Sequence, residues 1–136
     1  MSTRTLIIRT AGINCDRELV HAFEQAGSAV TTVHLNRLVE APGQISAFDL
    51  IGIPGGFSYG DDIAAGRIFA NRLKLRLGDA MRRAVDRGAG IIGICNGFQV
   101  LVKMGLLPGD EEVSLSQTAS LTLNDSGHYE DRWVTL

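Results

Sequence analysis

Cysteine is scarce in this chain, and the charges nearly cancel. Cys15 and Cys95 are the only two cysteines. Two cysteines cannot build a disulfide framework, and neither has metal-ligating company, so a reducing compartment is the expected setting. The formal net charge of −2 gives no reason to expect nucleic acid or an anionic membrane as partner. No stretch approaches the roughly 20 apolar residues of a membrane span. The apolar run Leu6-Ile7-Ile8 near the N-terminus is too short for a signal peptide, so the chain is expected to be cytoplasmic. Internal repeats and low-complexity segments are missing as well. Glycine, by contrast, is plentiful: 16 of 136 residues, in a chain that is 45% hydrophobic. This composition suits one soluble globular domain, residues 1–136, rich in tight turns and large enough for a real core.

The stretch that organises the rest is Gly90-Ile91-Ile92-Gly93-Ile94-Cys95-Asn96-Gly97-Phe98-Gln99. Its apolar half reads as a short buried strand that stops at a cysteine, after which the spacing becomes helical. Gly93-Ile94-Cys95-Asn96-Gly97 has the form G-x-C-x-G, the thiol version of the nucleophile elbow. In such a turn a side chain at either glycine would strike neighbouring backbone. The turn also exposes the thiol at a helix N-terminus, where N–H groups and the dipole favour thiolate. A lone cysteine after an apolar strand is otherwise an ordinary small core residue.

Upstream, Thr5–Arg9 reads as a first strand, followed by a loop to Asp16, which suits a helix N-cap. Leu19, Val20, Phe23 and Ala26 share one helical face, and Gly27 stops that helix. Ser28–Leu35 reads as a second strand; His34 at its end and His21 on the helix are expected to be structural or solvated. Asn36–Ala47 is a connection with one helical turn, and Phe48–Ile53 is a third strand, covered on both faces. Pro54-Gly55-Gly56-Phe57-Ser58-Tyr59-Gly60-Asp61-Asp62 follows at once. A plain βα turn needs two or three residues, and this loop is about three times as long. Excess length at the carboxyl end of a buried strand is where doubly wound proteins keep their sites.

Ala64–Leu77 and Asp79–Arg87 are expected as two helical segments, the second capped by Asp79. Their Arg72, Lys74, Arg76, Arg82, Arg83 and Arg87 make a basic region, either a solvated face or a phosphate or partner contact. A helix beginning at Asn96, with Phe98, Leu101 and Val102 inward, ends near Gly105. Beyond Pro108-Gly109 comes an acidic loop, Asp110–Glu112. Ser114–Leu123 and His128–Leu136, around the turn Asn124-Asp125-Ser126-Gly127, read as an appended β-hairpin. The alternation up to Gly105 implies a doubly wound α/β fold with a mostly parallel sheet. Right-handed crossovers bring the Pro54–Asp62 loop and Cys95 to one edge of it.

Together these motifs resemble the class I, triad-type glutamine amidotransferases. The class likeness rests on Gly93-Ile94-Cys95-Asn96-Gly97-Phe98-Gln99 and Pro54-Gly55-Gly56. Within the class the chain is similar to the glutaminase subunits of phosphoribosylformylglycinamidine synthase, of purine biosynthesis. That narrower likeness rests on Gly12-Ile13-Asn14-Cys15-Asp16-Arg17-Glu18, the Pro54–Asp61 loop, Cys95–Gln99 and Gly127-His128-Tyr129-Glu130-Asp131-Arg132-Trp133-Val134. It implies a flavodoxin-like fold in which Cys95 attacks the side-chain amide of L-glutamine. Ammonia and a glutamyl thioester result, and water hydrolyses the thioester. It further implies an oxyanion hole made by the N–H of Asn96 and one from Gly55 or Gly56, with Gln99 helping to hold the substrate. The expected partners are an ammonia-accepting synthase subunit and a small accessory subunit. No cofactor or metal is implied for this chain; ATP and Mg belong to the synthase.

The departure from the family lies in the base. A cysteine nucleophile of this kind needs a histidine and an acid to orient it. The family carries these in a His-x-Glu pair much further along. His128-Tyr129-Glu130 has that form but belongs to a block the family keeps separate from its catalytic pair, although alternate strand positions do share a face. The expectation is an N-terminal portion of a longer subunit, or a chain that has lost its base. The alternative function is a non-catalytic interaction domain of amidotransferase fold. A chaperone or peptidase-like cysteine-elbow relative fits less well with the glycine loop and Gln99.

Overall fold

The computed structural model describes residues 2–109 and 115–135. Among them, strands β1 (Arg4–Arg9), β2 (Ala29–His34), β3 (Leu50–Ile53) and β4 (Gly90–Gly93) form one sheet in the order β2-β1-β3-β4. Every pairing is parallel. Helices α1 (Asp16–Gln25), α2 (Leu35–Glu40), α3 (Arg67–Asp86) and α4 (Asn96–Met104) make the crossovers and the final segment. The doubly wound α/β architecture expected from the strand–helix alternation is present.

The middle of the sheet is apolar because both faces are covered. Thr5, Leu6, Ile7 and Ile8 of β1 and Ile51, Gly52 and Ile53 of β3 are all buried. Alternate residues divide the faces. Leu6, Ile8, Ile51 and Ile53 join Phe69, Leu73, Leu77, Met81 and Val100 in the main core. On the opposite face α1 lies so close to β3 that a carbon added to Gly52 would sit 3.1 Å from Leu19 and 3.2 Å from Phe23.

Several boundaries differ from the sequence expectation, each for a packing reason. Positions 67–86 form one helix, not two. Gly78 lies inside it, where a Cβ would come within 2.9 Å of Leu115, so close packing offsets the helical cost of glycine. Asp79 is therefore no cap and pairs with Arg82 at 3.1 Å. The first helix is capped at Cys15, with Asp16 inside it and 3.5 Å from Arg9. The 36–47 connection holds more helix than one turn, α2 and then a 3-10 segment, Pro42–Ala47. His34 has the structural role expected of it: its Nδ1 accepts the N–H of Asn36 at 3.2 Å and caps α2.

Strand β4 is less buried than its sequence suggests. It pairs only with β3 among the described residues, and Ile92 is 43% exposed. Phe98, expected to point inward, is likewise 41% exposed. The appended hairpin is not formed: residues 115–135 contain no strand, and Leu123, Tyr129 and Trp133 lie in solvent. Alternating β-branched residues make a strand only where a neighbour or an apolar face receives them, and a lone hairpin is marginal. Ser114, Leu136 and the acidic Asp110–Glu112 loop fall outside the described residues.

The turn from β4 into α4 depends on two glycines. A Cβ on Gly97 would sit 1.9 Å from the Ile53 carbonyl oxygen, and one on Gly93 would sit 2.5 Å from the Gly97 oxygen. Gly97→Ala should therefore cost at least about 3 kcal/mol in urea denaturation. Gly43→Ala, where no atom lies within 4 Å of the added carbon, should stay within about 0.5 kcal/mol of the parent.

Candidate functional site

From the central β1 the chain moves one way to β2 and the other way to β3 and β4. The carboxyl ends of β1 and β3 thus flank the topological switch point, the usual crevice of an open α/β sheet. The loops leaving these strands are joined backbone to backbone. Phe57 N–H donates to Gly12 O and Tyr59 N–H to Ala11 O, both at 2.9 Å, and Cys15 N–H reaches Gly55 O at 3.4 Å. Ile13 and Gly56 form an isolated antiparallel bridge. Glycine is required at position 12, with φ +84 and only 2.0 Å between an added Cβ and the Phe57 oxygen.

Cys95 stands beside this loop pair as the cap residue of α4, with φ 53 and ψ −111. That is a strained conformation for a residue with a side chain, of the kind that costs about 1–3 kcal/mol. Its thiol is exposed. The first carbon of any side chain at Gly55 would lie 3.3 Å from Cys95 Cβ and 3.8 Å from Cys15 Cβ. Both cysteines therefore converge on Gly55. Cys15, in the loop before α1, is exposed at a second helix N-terminus, and its Sγ contacts Asn14 Oδ1 at 3.2 Å.

Of the residues singled out from sequence, Gly55, Gly56, Cys95 and Asn96 are brought together, and Gln99 is one turn along α4. Gly55 and Gly56 are buried in the loop. They differ in tolerance: Gly56 has φ +134, and a Cβ there would strike Asn14 N at 2.8 Å and Gly12 O at 2.9 Å. The side chain of Asn96 is buried, and its Nδ2 donates to Gln99 Oε1 at 3.1 Å. The histidines stand elsewhere. His21 is exposed on α1, and His34 caps α2. His128 is exposed, and its neighbour Glu130 accepts from Ser126 Oγ at 2.8 Å and pairs with Arg132 at 2.8 Å.

A polar brace went unnoticed in the sequence. The Tyr59 hydroxyl oxygen accepts from Thr10 Oγ1 at 2.7 Å and from the Arg72 guanidinium, whose other nitrogen donates to Asn36 at 2.9 Å. The Arg72 carbon lies 5.7 Å from the Tyr59 ring centre, within cation–π range. Arg72 thus leaves the basic face of α3 to hold the glycine loop, while Lys74, Arg76, Arg82, Arg83 and Arg87 stay exposed. The clue available from sequence was the surplus length of the 54–62 loop, which must be held by something. Among the described residues no three His, Cys, Asp or Glu side chains gather as a metal site, and no helix is long and apolar enough to cross a membrane.

Comparison with known proteins fits this geometry. The family model described as CobB/CobQ-like glutamine amidotransferase domain matches residues 2–136. The phosphoribosylformylglycinamidine synthase subunit PurQ of Dehalococcoides mccartyi is 50% identical over 133 residues, covering 98% of this chain and 51% of that protein. The subunit of the same name from Methanococcus maripaludis strain C5 is 39% identical, covering 98% of this chain and 50% of its own. The chain thus spans about half the length of the curated relatives it matches. Among solved structures, a chain of PurLQS from Thermotoga maritima superposes with TM-score 0.64 at 37% identity, covering 80% of this chain and 47% of that one. The similarity extends to the fold expected from the sequence.

The Tyr59 brace is open to a direct test. Tyr59→Phe removes the acceptor used by Thr10, which is only 5% exposed. The variant should lose about 1–2 kcal/mol of unfolding free energy in urea denaturation. An unchanged denaturation midpoint would show that the brace contributes nothing to stability.

Proposed function

The chain belongs to the CobB/CobQ-like glutamine amidotransferase domain family, and on that premise we propose that Cys95 is the nucleophile of a glutaminase. The observation that carries the reading is the strained, exposed Cys95 at the start of α4, facing a glycine that keeps the space beside it clear. Its sulfur attacks the side-chain amide carbon of L-glutamine, and the thiol proton passes to a base. As the tetrahedral intermediate collapses, the amide nitrogen takes a proton and leaves as ammonia. Water then opens the glutamyl thioester, releasing glutamate and restoring the thiol. The N–H of Asn96, together with one from Gly55 or Gly56, binds the oxyanion. The first N–H groups of a helix have no intrahelical acceptor, so that of Asn96 is suited to the task. Preorganised donors of this kind are each worth a few kcal/mol of barrier.

Gln99 supports the substrate side of the pocket through its contact with Asn96. The ammonia is delivered to a phosphoribosylformylglycinamidine synthase, in keeping with the PurQ relatives, and a small accessory subunit completes the assembly. ATP and Mg serve the synthase.

The base lies outside these 136 residues in this reading. His21 is exposed on α1, His34 caps α2, and the acid beside His128 is engaged by Ser126 and Arg132. Without a base, the oxyanion hole and binding leave only weak residual catalysis.

Two measurements test the proposal. A glutamine-mimicking chloroketone should label Cys95 ahead of Cys15 by peptide mapping, and Cys95→Ser should abolish that adduct; chief labelling of Cys15 would sink the assignment. Gly55→Val should suppress labelling by filling the space beside the thiol, and it is a cleaner probe than any change at Gly56, where the backbone itself objects. Separately, the purified chain should release ammonia from glutamine orders of magnitude more slowly than a complete amidotransferase, with or without synthase. Full turnover that His128→Ala abolished would instead make His128-Tyr129-Glu130 the catalytic pair.

A further inference from the structure

The residue after Cys95 has a second use, in its side chain. Asn96 is 1% exposed, and its amide makes four hydrogen bonds. Its Oδ1 accepts from the Ser58 N–H at 3.2 Å and from the Ser58 hydroxyl at 2.6 Å. Its Nδ2 donates to Asp61 Oδ1 and to Gln99 Oε1, both at 3.1 Å. A primary amide has two lone pairs and two N–H groups, so every position is used. Asp61 Oδ1 also accepts the N–H of Gly66 at 2.9 Å, which ties the same cluster to the start of α3.

This saturation matters because of where it sits. Cys95 has φ 53, and so does Asp61. Strained backbone of this kind persists only where the surroundings over-determine it. Behind the elbow, Gly93 and Gly97 pack so closely on neighbouring backbone that neither position has room for a Cβ. That close packing lies on the sheet side of the turn and does not by itself hold the outward side. Asn96 supplies the attractive half: it anchors the residue following the nucleophile to the glycine loop, from the buried side.

We propose that Ser58, Asn96 and Asp61 form a clamp that holds the Cys95 elbow in its strained, thiol-out conformation. Ser58 and Asp61 are then positioning residues for the nucleophile, a meaning that rests on the proposed role of Cys95. With the clamp released, Cys95 relaxes to an ordinary negative φ. The thiol then turns from the Gly55 crevice, and the Asn96 N–H loses its aim. The acceptor oxygen of Asp61 is what counts, not its charge, so asparagine serves at position 61 and tolerates positive φ as well.

The test uses iodoacetamide on the intact 136-residue chain, comparing the alkylation rate of Cys95 with that of Cys15 in the same molecule. Iodoacetamide does not resemble glutamine, so this arm decides the clamp whether or not the chain proves to be a glutaminase. Asp61→Ala and Asn96→Leu should lower the Cys95:Cys15 ratio about 10-fold, and the milder Ser58→Ala about threefold. Asp61→Asn should keep the parent ratio within about twofold. An unchanged ratio in Ser58→Ala and Asp61→Ala overturns the proposal, as does an equal fall in Asp61→Asn and Asp61→Ala. The glutamine-mimicking chloroketone runs in parallel: its failure to label parent Cys95 would count against the glutaminase reading alone.

Discussion

Everything at the carboxyl edge of the sheet depends on one backbone-to-backbone approach. Helix α4 begins so near the end of β3 that even a methyl group on Gly97 would overlap the Ile53 carbonyl. That approach is possible because position 97 has no side chain, and it has two results. The first turn of α4 is brought against the loop that leaves β3, and Cys95 leads into it at φ 53. The tight backbone packing behind the elbow acts together with the Asn96 bonds beside it, and Cys95 is exposed.

Such strain has to be offset locally. The cluster of positive φ values at non-glycine residues 59, 61 and 95 coincides with the side-chain hydrogen bonds of Tyr59, Asp61 and Asn96. The Tyr59 brace to Thr10 and Arg72 and the Asn96 bonds to Ser58 and Asp61 both end on the same loop. One fixes that loop to β1 and α3, the other to α4. A loop of this length without such ties would be mobile, and mobile backbone donors cannot be preorganised for an oxyanion. The two networks turn a long surface loop into a rigid wall.

What could be read in the sequence was what the backbone alone dictates. Strand–helix alternation, the glycines of the elbow and the surplus length of the 54–62 loop each have a local cause. They led to the sheet, the strand-to-helix turn and the edge where the loops meet. Gly78 misled because its effect depends on Leu115, a distant residue packed over it. The appended hairpin misled because a strand pattern is only half of a strand; the other half is a partner. The nearness of Cys15 to Cys95 was invisible for a related reason: their loops leave different strands, and the strand order decides that both lie over Gly55. Asn96 was noticed for its N–H, while its side chain could be placed only once Ser58 and Asp61 were seen to face it.

The arrangement also separates two requirements of the proposed reaction. Holding a nucleophile and an oxyanion site takes rigidity, and the interactions that supply it here join residues 10–15, 53–66 and 93–99 to one another, with Arg72 bracing the loop from α3. A base, by contrast, needs only to reach the thiol from the open side, and it need not share those contacts. Cys95 is exposed, and the missing side chain of Gly55 leaves room beside its Cβ. A histidine could approach there without disturbing the clamp, because Asn96 is held from the buried side. The nucleophile half of such a site can therefore be fully formed while the base is contributed by a separate element. Losing that element would lower turnover without unmaking the elbow. An elbow held by interactions of its own is what allows reactivity of the thiol and catalysis to be measured as distinct properties of the molecule.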